Sequence, residues 1–171
     1  MEQAIQYQAA EPVATNADAL FEEYGDTVYR LALVRTRSVS DAEDVVQEVF
    51  LRYLRRRPEF ENREHQKAWF LTVTVNCTKN LLTNAFRRRS VSLDAAFDAA
   101  EEDVYSDSTV LDAVLRLPEK YRTATHLYYF ESYSVREIAS LMRASESAVK
   151  SWLHRARALL KEELRGEFSD V

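Results

Sequence analysis

The second half of the chain carries a polar and basic helix face that could bind DNA. Ser134 and Glu137 have the spacing of a capping box, in which a hydroxyl and a carboxylate satisfy free N–H groups at a helix start. A short turn follows, and Ser145 can cap a second helix whose apolar residues return at the spacing of a helix-turn-helix. The polar face of that second helix offers groups that bond base edges or phosphates: Ser147, Lys150, Ser151, His154, Arg155 and Arg157. The pattern predicts a recognition helix, with an ordinary solvated face as the alternative.

The turn before the recognition helix departs from the usual residue choice. Arg143 stands where glycine is often found. If Arg143 adopts a positive φ, the conformation costs about 1 kcal/mol. A different turn geometry is the alternative.

A second polar face is predicted between Gln66 and Arg89. The segment from Leu71 to Val75 alternates like a strand, but a 3.6-residue period extends across the whole stretch, so we predict a helix. Its apolar face contains Phe70, Val73, Cys77 and Leu81. Its polar face contains hydroxyl, amide and cationic groups: Thr72, Asn76, Lys79, Thr83 and Arg87.

Another helix, with an acidic start, is predicted from about Asp41 to Arg57. The acids near its start and the arginines at its end suit the helix macrodipole, and Pro58 ends it. Its apolar stripe is Val45, Val46, Val49, Phe50, Tyr53 and Leu54. Its other side carries Asp41, Asp44, Gln47 and Glu48, which the pattern alone favours as a solvated helix start. No histidine lies nearby at ligand spacing, so we predict no metal site and no cofactor.

Composition favours an all-α protein. The 171 residues are 46% hydrophobic, and two Gly and three Pro are too few turn-formers for a many-stranded sheet. No apolar run approaches the ~20 residues of a membrane span, and residues 1–19 lack the pattern of a secretory signal, so we expect no membrane insertion. Cys77 is the single cysteine and is most simply a core thiol, which fits a reducing cytoplasm.

Charge and periodicity divide the chain into two domains. The net charge of −5 argues against nucleic-acid binding, but the distribution of the charges along the chain reverses that interpretation. Residues 20–90 contain 13 Lys and Arg against 10 Asp and Glu, residues 115–165 contain 10 against six, and residues 91–114 contain seven acids and no base. The first block opens with an apolar stripe, Phe21, Tyr24, Val28 and Leu31. We predict an N-terminal segment at 1–17, helical domains at 18–89 and 111–165, an acidic linker at 90–110 and a tail at 166–171.

Five stretches of the chain together resemble bacterial RNA polymerase sigma factors of the sigma-70 family. Residues 41–52 (DAEDVVQEVFLR) resemble region 2.2, and residues 68–82 (AWFLTVTVNCTKNLL) resemble the promoter-opening helix that follows it. Region 4 is matched by residues 117–122 (LPEKYR), 129–139 (YFESYSVREIA) and 148–157 (AVKSWLHRAR). No third domain fits between the two blocks, which indicates the two-domain extracytoplasmic-function group.

The resemblance implies a transcription initiation subunit with three partners: core RNA polymerase, promoter DNA and an anti-sigma factor. Asp41, Asp44, Gln47 and Glu48 would dock on the clamp helices of the largest polymerase subunit, and the second domain would contact the beta flap. The acidic linker resembles the segment that passes through the polymerase cleft, with a solubilising tether as the alternative.

The resemblance also implies two promoter contacts. At the minus-ten element, amides would read flipped bases, cations would hold phosphates and an aromatic ring would support stacking: Asn76, Asn80, Lys79, Arg87, Arg88 and Trp69. Asn62 and Arg63 lie in the loop that would select the flipped base. For Trp69 a core position is the alternative. The minus-thirty-five element would be read by the recognition helix. His154 departs from the larger or more basic residues of some relatives, which leaves open the base that it reads.

Two other functions stay open on the residues alone. A stand-alone helix-turn-helix regulator would bind DNA as a dimer, and the first domain would then supply the dimer contact. That alternative gives no role to the asparagine, lysine and arginine face of residues 66–89. An enzyme is disfavoured because the sequence has no glycine-rich phosphate loop, metal cluster or nucleophile motif.

Overall fold

The computed structural model describes residues 16–91 and 109–168, which form helices and no strand. The helices are α1 (Ala17–Thr36), α2 (Val39–Arg56), α3 (Arg63–Val91), α4 (Thr109–Arg116), α5 (Glu119–Tyr129), α6 (Val135–Met142) and α7 (Glu146–Phe168). The all-α prediction is therefore confirmed. The stretch that alternates like a strand lies inside α3, as its longer 3.6-residue period indicates.

Polar side chains begin several of these helices. Asn16 Oδ1 accepts from the Ala19 N–H at 2.7 Å, and Ser38 Oγ accepts from the Asp41 N–H at 3.2 Å. At α6 the predicted capping box is present: Ser134 Oγ accepts from the Glu137 N–H at 3.3 Å, and Glu137 accepts from the Ser134 N–H at 2.8 Å.

Three helices end on an arginine in the left-handed region. Arg37, Arg57 and Arg143 have φ values of 57°, 41° and 51°, and each backbone N–H donates to a carbonyl of the preceding helix. Arg143 thus adopts the positive φ that was one of the two predicted alternatives, at a cost of about 1 kcal/mol. The left-handed residue turns the chain sharply, so α7 follows α6 after a short turn.

The core of α1–α3 is built on aromatic rings. Tyr24 and Phe50 each lie 5.1 Å from Phe70, measured between ring centroids. Two residues that the sequence pattern assigned to apolar stripes lie outside this core: Phe21 is 53% exposed and Leu54 is 46% exposed. The prediction that both side chains are buried was wrong: the Phe21 ring lies against Phe50 at the rim of the core, with 5.1 Å between ring centroids, and the neighbouring Leu20 is the fully buried residue.

A second core joins the two halves of the chain. Leu31 of α1 and Leu71 and Val75 of α3 pack in one cluster with Leu127 of α5 and Ile138 of α6. Helix α3 is therefore buried on two sides, by α1–α2 and by the second domain. This explains why Leu71, Val73 and Val75 are all buried although they alternate in sequence.

A buried carboxylate adds a polar contact between the two domains. Glu131, in the loop between α5 and α6, lies 2.8 Å from Lys67 Nζ of α3 and 3.4 Å from His126 Nε2. Burial alone would raise the pKa of Glu131, but the interactions with His126 and Lys67 outweigh burial and lower that pKa to about 2.

The Glu131→Gln variant should be less stable at pH 7, by on the order of 3 kcal/mol in the free energy of unfolding. The carboxylate's contribution is fully present above its ordinary pKa of 4.5 and is lost as the pH falls towards about 2. The difference in the free energy of unfolding between wild type and variant should therefore shrink as the pH falls through that window. Urea unfolding at pH 7 and at pH 3 would measure the difference. Glu61→Gln, at a carboxylate 83% exposed, is the matched control. Equal stability of Glu131→Gln and wild type at pH 7 would contradict this account.

Candidate nucleic-acid interfaces

The helix-turn-helix is formed by α6 and α7. Ser145 Oγ accepts from the Ala148 N–H at 3.1 Å, which confirms the predicted cap of α7. Ile138, Val149 and Leu153 are buried between the helices, so one side of α7 is fixed against the domain core. The opposite side faces outward along the first half of α7.

All six residues predicted for the recognition helix are exposed: Ser147, Lys150, Ser151, His154, Arg155 and Arg157. At 100° per residue the first four form the centre of the outer face. The two arginines lie on its opposite flanks. A helix face of this width, with cations on both flanks, matches the shape and charge of a major groove.

Two tyrosines hold the flanking arginines. Arg155 Nη1 donates to the Tyr121 hydroxyl at 3.3 Å, and Arg157 Nη1 donates to the Tyr129 hydroxyl at 3.4 Å. Both tyrosines belong to α5 and were not singled out from the sequence. Their spacing of eight residues places them on α5 about two turns apart, which is the only sequence signal that could have found them.

The polar face of α3 is accessible. Lys79 and Asn80 are exposed and Asn76 is half-buried, and the three lie on one side of the helix. Trp69 is half-buried, with its ring 6.0 Å from Phe60, 6.1 Å from Tyr53 and 5.1 Å from Phe70. Its position among these rings favours packing over free base stacking. The side chains of Arg87 and Arg88 lie outside the described residues.

The start of α3 engages two of the predicted minus-ten residues in local contacts. Asn62 Oδ1 accepts from the His65 N–H at 2.8 Å and so caps the helix. Arg63 pairs with Glu23 of α1 at 2.8 Å. These contacts fix the loop that precedes α3 against the first helix.

Helix α2 presents the third predicted surface. Asp44 and Gln47 are exposed, Asp41 and Glu48 are half-buried, and Glu48 pairs with Arg52 at 2.7 Å. Leu51 follows on the same face and is 44% exposed, as is Leu54 at 46%. The acidic face therefore continues into an apolar face. The sequence pattern did not indicate this apolar face, because it assigned Leu54 to the buried stripe of the helix.

The acidic face of α2 adjoins the polar face of α3. A cavity of about 250 Å³ opens between the two helices and is lined by Asp44, Glu48, Cys77 and Asn80 among others. Burial raises the pKa of the Cys77 thiol, and the side chain is 5% exposed. A buried thiol of raised pKa is poorly reactive, which agrees with a packing role.

Neither a metal cluster nor a membrane span is found in the described parts of the chain. No group of three or more His, Cys, Asp and Glu side chains among residues 16–91 and 109–168 could hold a metal ion. Over the same ranges, no helix combines the length and apolar character needed to cross a bilayer.

Fold and surfaces together define a two-domain helical DNA-binding protein with a separate acidic face. The sigma-70 region 2 model matches residues 20–90, and the sigma-70 region 4 model matches residues 108–160. Among its relatives, RNA polymerase sigma factor SigV of Bacillus subtilis is 30% identical, over 81% of this chain and 85% of SigV. The chain belongs to the sigma-70 family of RNA polymerase sigma factors, in its ECF group. Sigma factors are transcription initiation factors and not enzymes.

Other relatives carry the ECF name. The ECF RNA polymerase sigma factor BldN of Streptomyces coelicolor is 33% identical over 84% of this chain. The chain spans only 59% of the length of BldN, and 39% of the probable sigma factor RfaY of Xanthomonas campestris.

Solved structures show the same fold. The sigma factor RpoE in complex with the anti-sigma factor NepR, from Bartonella quintana, matches 89% of this chain and 98% of RpoE with a TM-score of 0.68 at 20% identity. CnrH in complex with the cytosolic domain of CnrY matches 88% of each chain with a TM-score of 0.60 at 20% identity.

Proposed function

We propose that this chain binds core RNA polymerase in the cytoplasm, directs it to promoters with minus-ten and minus-thirty-five elements, and helps to open the duplex. The observation that carries this proposal is the presence of three accessible surfaces in one sigma-family chain. These are the basic face of α7, the amide and lysine face of α3, and the acidic face of α2 that continues into exposed leucines. A dimeric regulator would need only the first.

The second domain is assigned to the minus-thirty-five element. The central residues of the α7 face reach base edges: Ser147, Lys150, Ser151 and His154. Arg155 and Arg157 lie on the flanks and contact phosphates along the two walls of the groove. Tyr121 and Tyr129 hold these arginines through their hydroxyls and limit the freedom that binding would otherwise cost.

Two variants of α7 should separate base contacts from phosphate contacts. Lys150→Ala should weaken promoter binding by about 1–3 kcal/mol and relax the preference at one position of the element. Arg157→Ala should weaken binding to all sequences alike. It should also reduce the slope of log affinity against log salt concentration by about one. Binding titrations of matched and mutated duplexes at several salt concentrations measure both effects.

Arg30→Ala, which removes an exposed arginine of α1, is the control for these titrations. It should leave affinity and salt slope at wild-type values. Wild-type affinity and footprint in both α7 variants would overturn the assignment of the recognition helix.

The first domain is assigned to the minus-ten element. Asn76 and Asn80 present amides that can pair with the edges of unstacked bases. Lys79, which directly precedes Asn80 in sequence, can bind a phosphate of the same DNA strand. Asn62 and Arg63 fix the loop beside this face, and Trp69 supports it from the aromatic cluster. Arg87 and Arg88 would extend the phosphate contact along the strand. Because these groups bind the single strand and not the duplex, they favour the open state by differential affinity.

The acidic face of α2 is assigned to the polymerase. Asp44 and Gln47, together with Asp41 and Glu48, suit a basic helix, and the exposed Leu51 and Leu54 suit the apolar part of such a partner. The clamp helices of the largest subunit are the proposed partner, with the beta flap as the contact of the second domain.

An anti-sigma factor is proposed as a further partner. One solved structure of this fold, RpoE, is a sigma factor in complex with the anti-sigma factor NepR, and another, CnrH, is in complex with the cytosolic domain of CnrY.

Co-purification with core polymerase tests the proposal. We expect one chain per polymerase, and we expect the free chain to be a monomer. A chain that forms a dimer, ignores core polymerase and protects two duplex half-sites by itself would contradict the proposal and support the dimeric regulator.

A further inference from the structure

Three consecutive arginines are exposed where α2 ends. Arg55 and Arg56 lie in the last turn of the helix, and Arg57 follows as its left-handed end residue. We call these three residues the arginine run. No carboxylate among the described residues pairs with any of them, whereas Arg52, one turn earlier, pairs with Glu48 at 2.7 Å. The run is therefore a concentrated and unpaired positive charge on the first domain.

The end of the helix does not by itself account for three arginines. A cation in the last turn interacts favourably with the helix macrodipole, which explains Arg55 and Arg56. Arg57 lies beyond the helix at a φ of 41°, where glycine would be less strained. Adjacent cations raise the local concentration of anions, so an anionic ligand gives a role to all three residues.

The spacing of residues along α2 places the arginine run beside α3. Glu48, Arg52 and Arg55 are four and three residues apart, so they lie on one side of α2. Glu48 and Arg52 line the cavity between α2 and α3, together with Asn80. Arg55 therefore continues the side of α2 that borders the proposed base-reading face of α3.

Aromatic contacts fix the level of α3 that the run reaches. The Tyr53 ring lies 6.1 Å from Trp69, and the Trp69 ring lies 6.0 Å from Phe60 of the loop after the run. Trp69 and Asn76 are seven residues apart on one side of α3, which is about 10 Å along the helix axis. That length corresponds to about three nucleotides of a stacked strand, at about 3.4 Å each. A strand read by Asn76 thus meets the arginine run within a few nucleotides.

We propose that the arginine run binds phosphodiesters of the opened promoter strand, beyond the bases that Asn76 and Asn80 read. This inference rests on the proposed function, because it assumes that a single strand lies along α3. Guanidinium groups suit this ligand, since each can donate two N–H groups to the oxygens of one phosphate. The strand reaches the run only after it has unpaired, so the contact favours the open state.

The test replaces Arg55 and Arg56 together by glutamine. The substitution removes two charges and retains good helix formers, and Arg57 stays in place so that the turn after α2 is unchanged. The probe is a promoter fragment from which core polymerase with wild-type chain initiates, mismatched across its minus-ten segment so that the strand is already open. Competition titrations of polymerase with each chain, at several salt concentrations, measure affinity for this fragment.

The expected signature is a change in salt dependence. Each phosphate contact to a single strand contributes about 0.7 to the slope of log affinity against log salt concentration, so the double glutamine variant should lower that slope by about 1.4. Its loss of affinity should be about sevenfold greater at about 50 mM salt than at about 200 mM salt. On the same fragment fully paired and kept closed at low temperature, the variant should bind like wild type.

Two control variants separate a phosphate contact from other effects. Arg55→Lys combined with Arg56→Lys keeps both charges and should retain the wild-type salt slope. Arg30→Gln removes one exposed charge from α1 and should also leave the slope unchanged. Titration of labelled chains with core polymerase should give the same affinity for the double glutamine variant as for wild type.

Three results would contradict the inference. One is an unchanged salt slope in the double glutamine variant, and another is an equal loss of affinity on the opened and the paired fragment. The third is a loss of association with core polymerase, which would assign the run to an acidic surface of the polymerase. If polymerase with wild-type chain initiates from no fragment, the proposed function itself fails, and the inference fails with it.

Discussion

Replacing Asp44 with arginine is expected to reduce the association of the chain with core polymerase by about a hundredfold. Asp44 is exposed in the centre of the α2 face, where a basic partner helix would lie against it. Facing like charges cost several kcal/mol at an interface, and each 1.4 kcal/mol is a factor of about ten in affinity. Titration of fluorescently labelled chain with core polymerase measures the loss.

The matched control for Asp44→Arg is Asp26→Arg, the same charge reversal at an exposed aspartate of α1. It should retain wild-type affinity, because the proposed contact is on α2. Leu51→Ala should give a smaller loss, consistent with an apolar part of the same interface. Equal losses from Asp26→Arg and Asp44→Arg would indicate a general charge effect and not a docking site.

The second large effect is expected from Asn76→Ala combined with Asn80→Ala. Each amide is proposed to pair with the edge of an unstacked base, and each such contact contributes about 1–3 kcal/mol. Together their loss should reduce the open complex at least tenfold and leave the closed complex near wild type. Permanganate reactivity of the melted segment measures opening, and a footprint at low temperature measures closed binding.

Asn84→Ala provides the control for this double variant. Asn84 is an exposed amide one turn beyond Asn80 and lines the same cavity, but it is not among the positions assigned to the minus-ten element. Its loss should leave permanganate reactivity unchanged. Unaltered reactivity in the double variant would remove α3 from the opening step.

The features that could be predicted from the sequence are those decided by neighbours along the chain. The capping box of Ser134 and Glu137 and the cap of Ser145 depend only on spacing, and both are present. The exposed face of α7 follows from the same periodicity. The positive φ of Arg143 could be named as an alternative because it is a property of one turn.

Features that depend on the other domain could not be predicted. The burial of Leu71 and Val75 comes from packing against α5 and α6, which no local pattern encodes. Arg35 and Arg122 have the ordinary appearance of surface arginines in the sequence, and only the tertiary fold buries them. The exposure of Leu51 likewise results from which side of α2 the fold leaves uncovered.

The local contacts at the start of α3 show a further limit. Asn62 and Arg63 were predicted as DNA contacts by resemblance, and the structure engages both in contacts within the domain. A cap or ion pair does not exclude a later contact with DNA. It does mean that replacing either residue would disturb the loop as well as any base contact, so Asn76 and Asn80 are the sharper probes of the minus-ten face.

Transcription in vitro with purified core polymerase, with and without this chain, tests the central claim most directly. The account predicts that the chain makes the polymerase initiate at defined positions on genomic fragments that share two spaced upstream elements, and that core polymerase alone starts at none of them. Transcripts that are identical in number and position with and without the chain would contradict it.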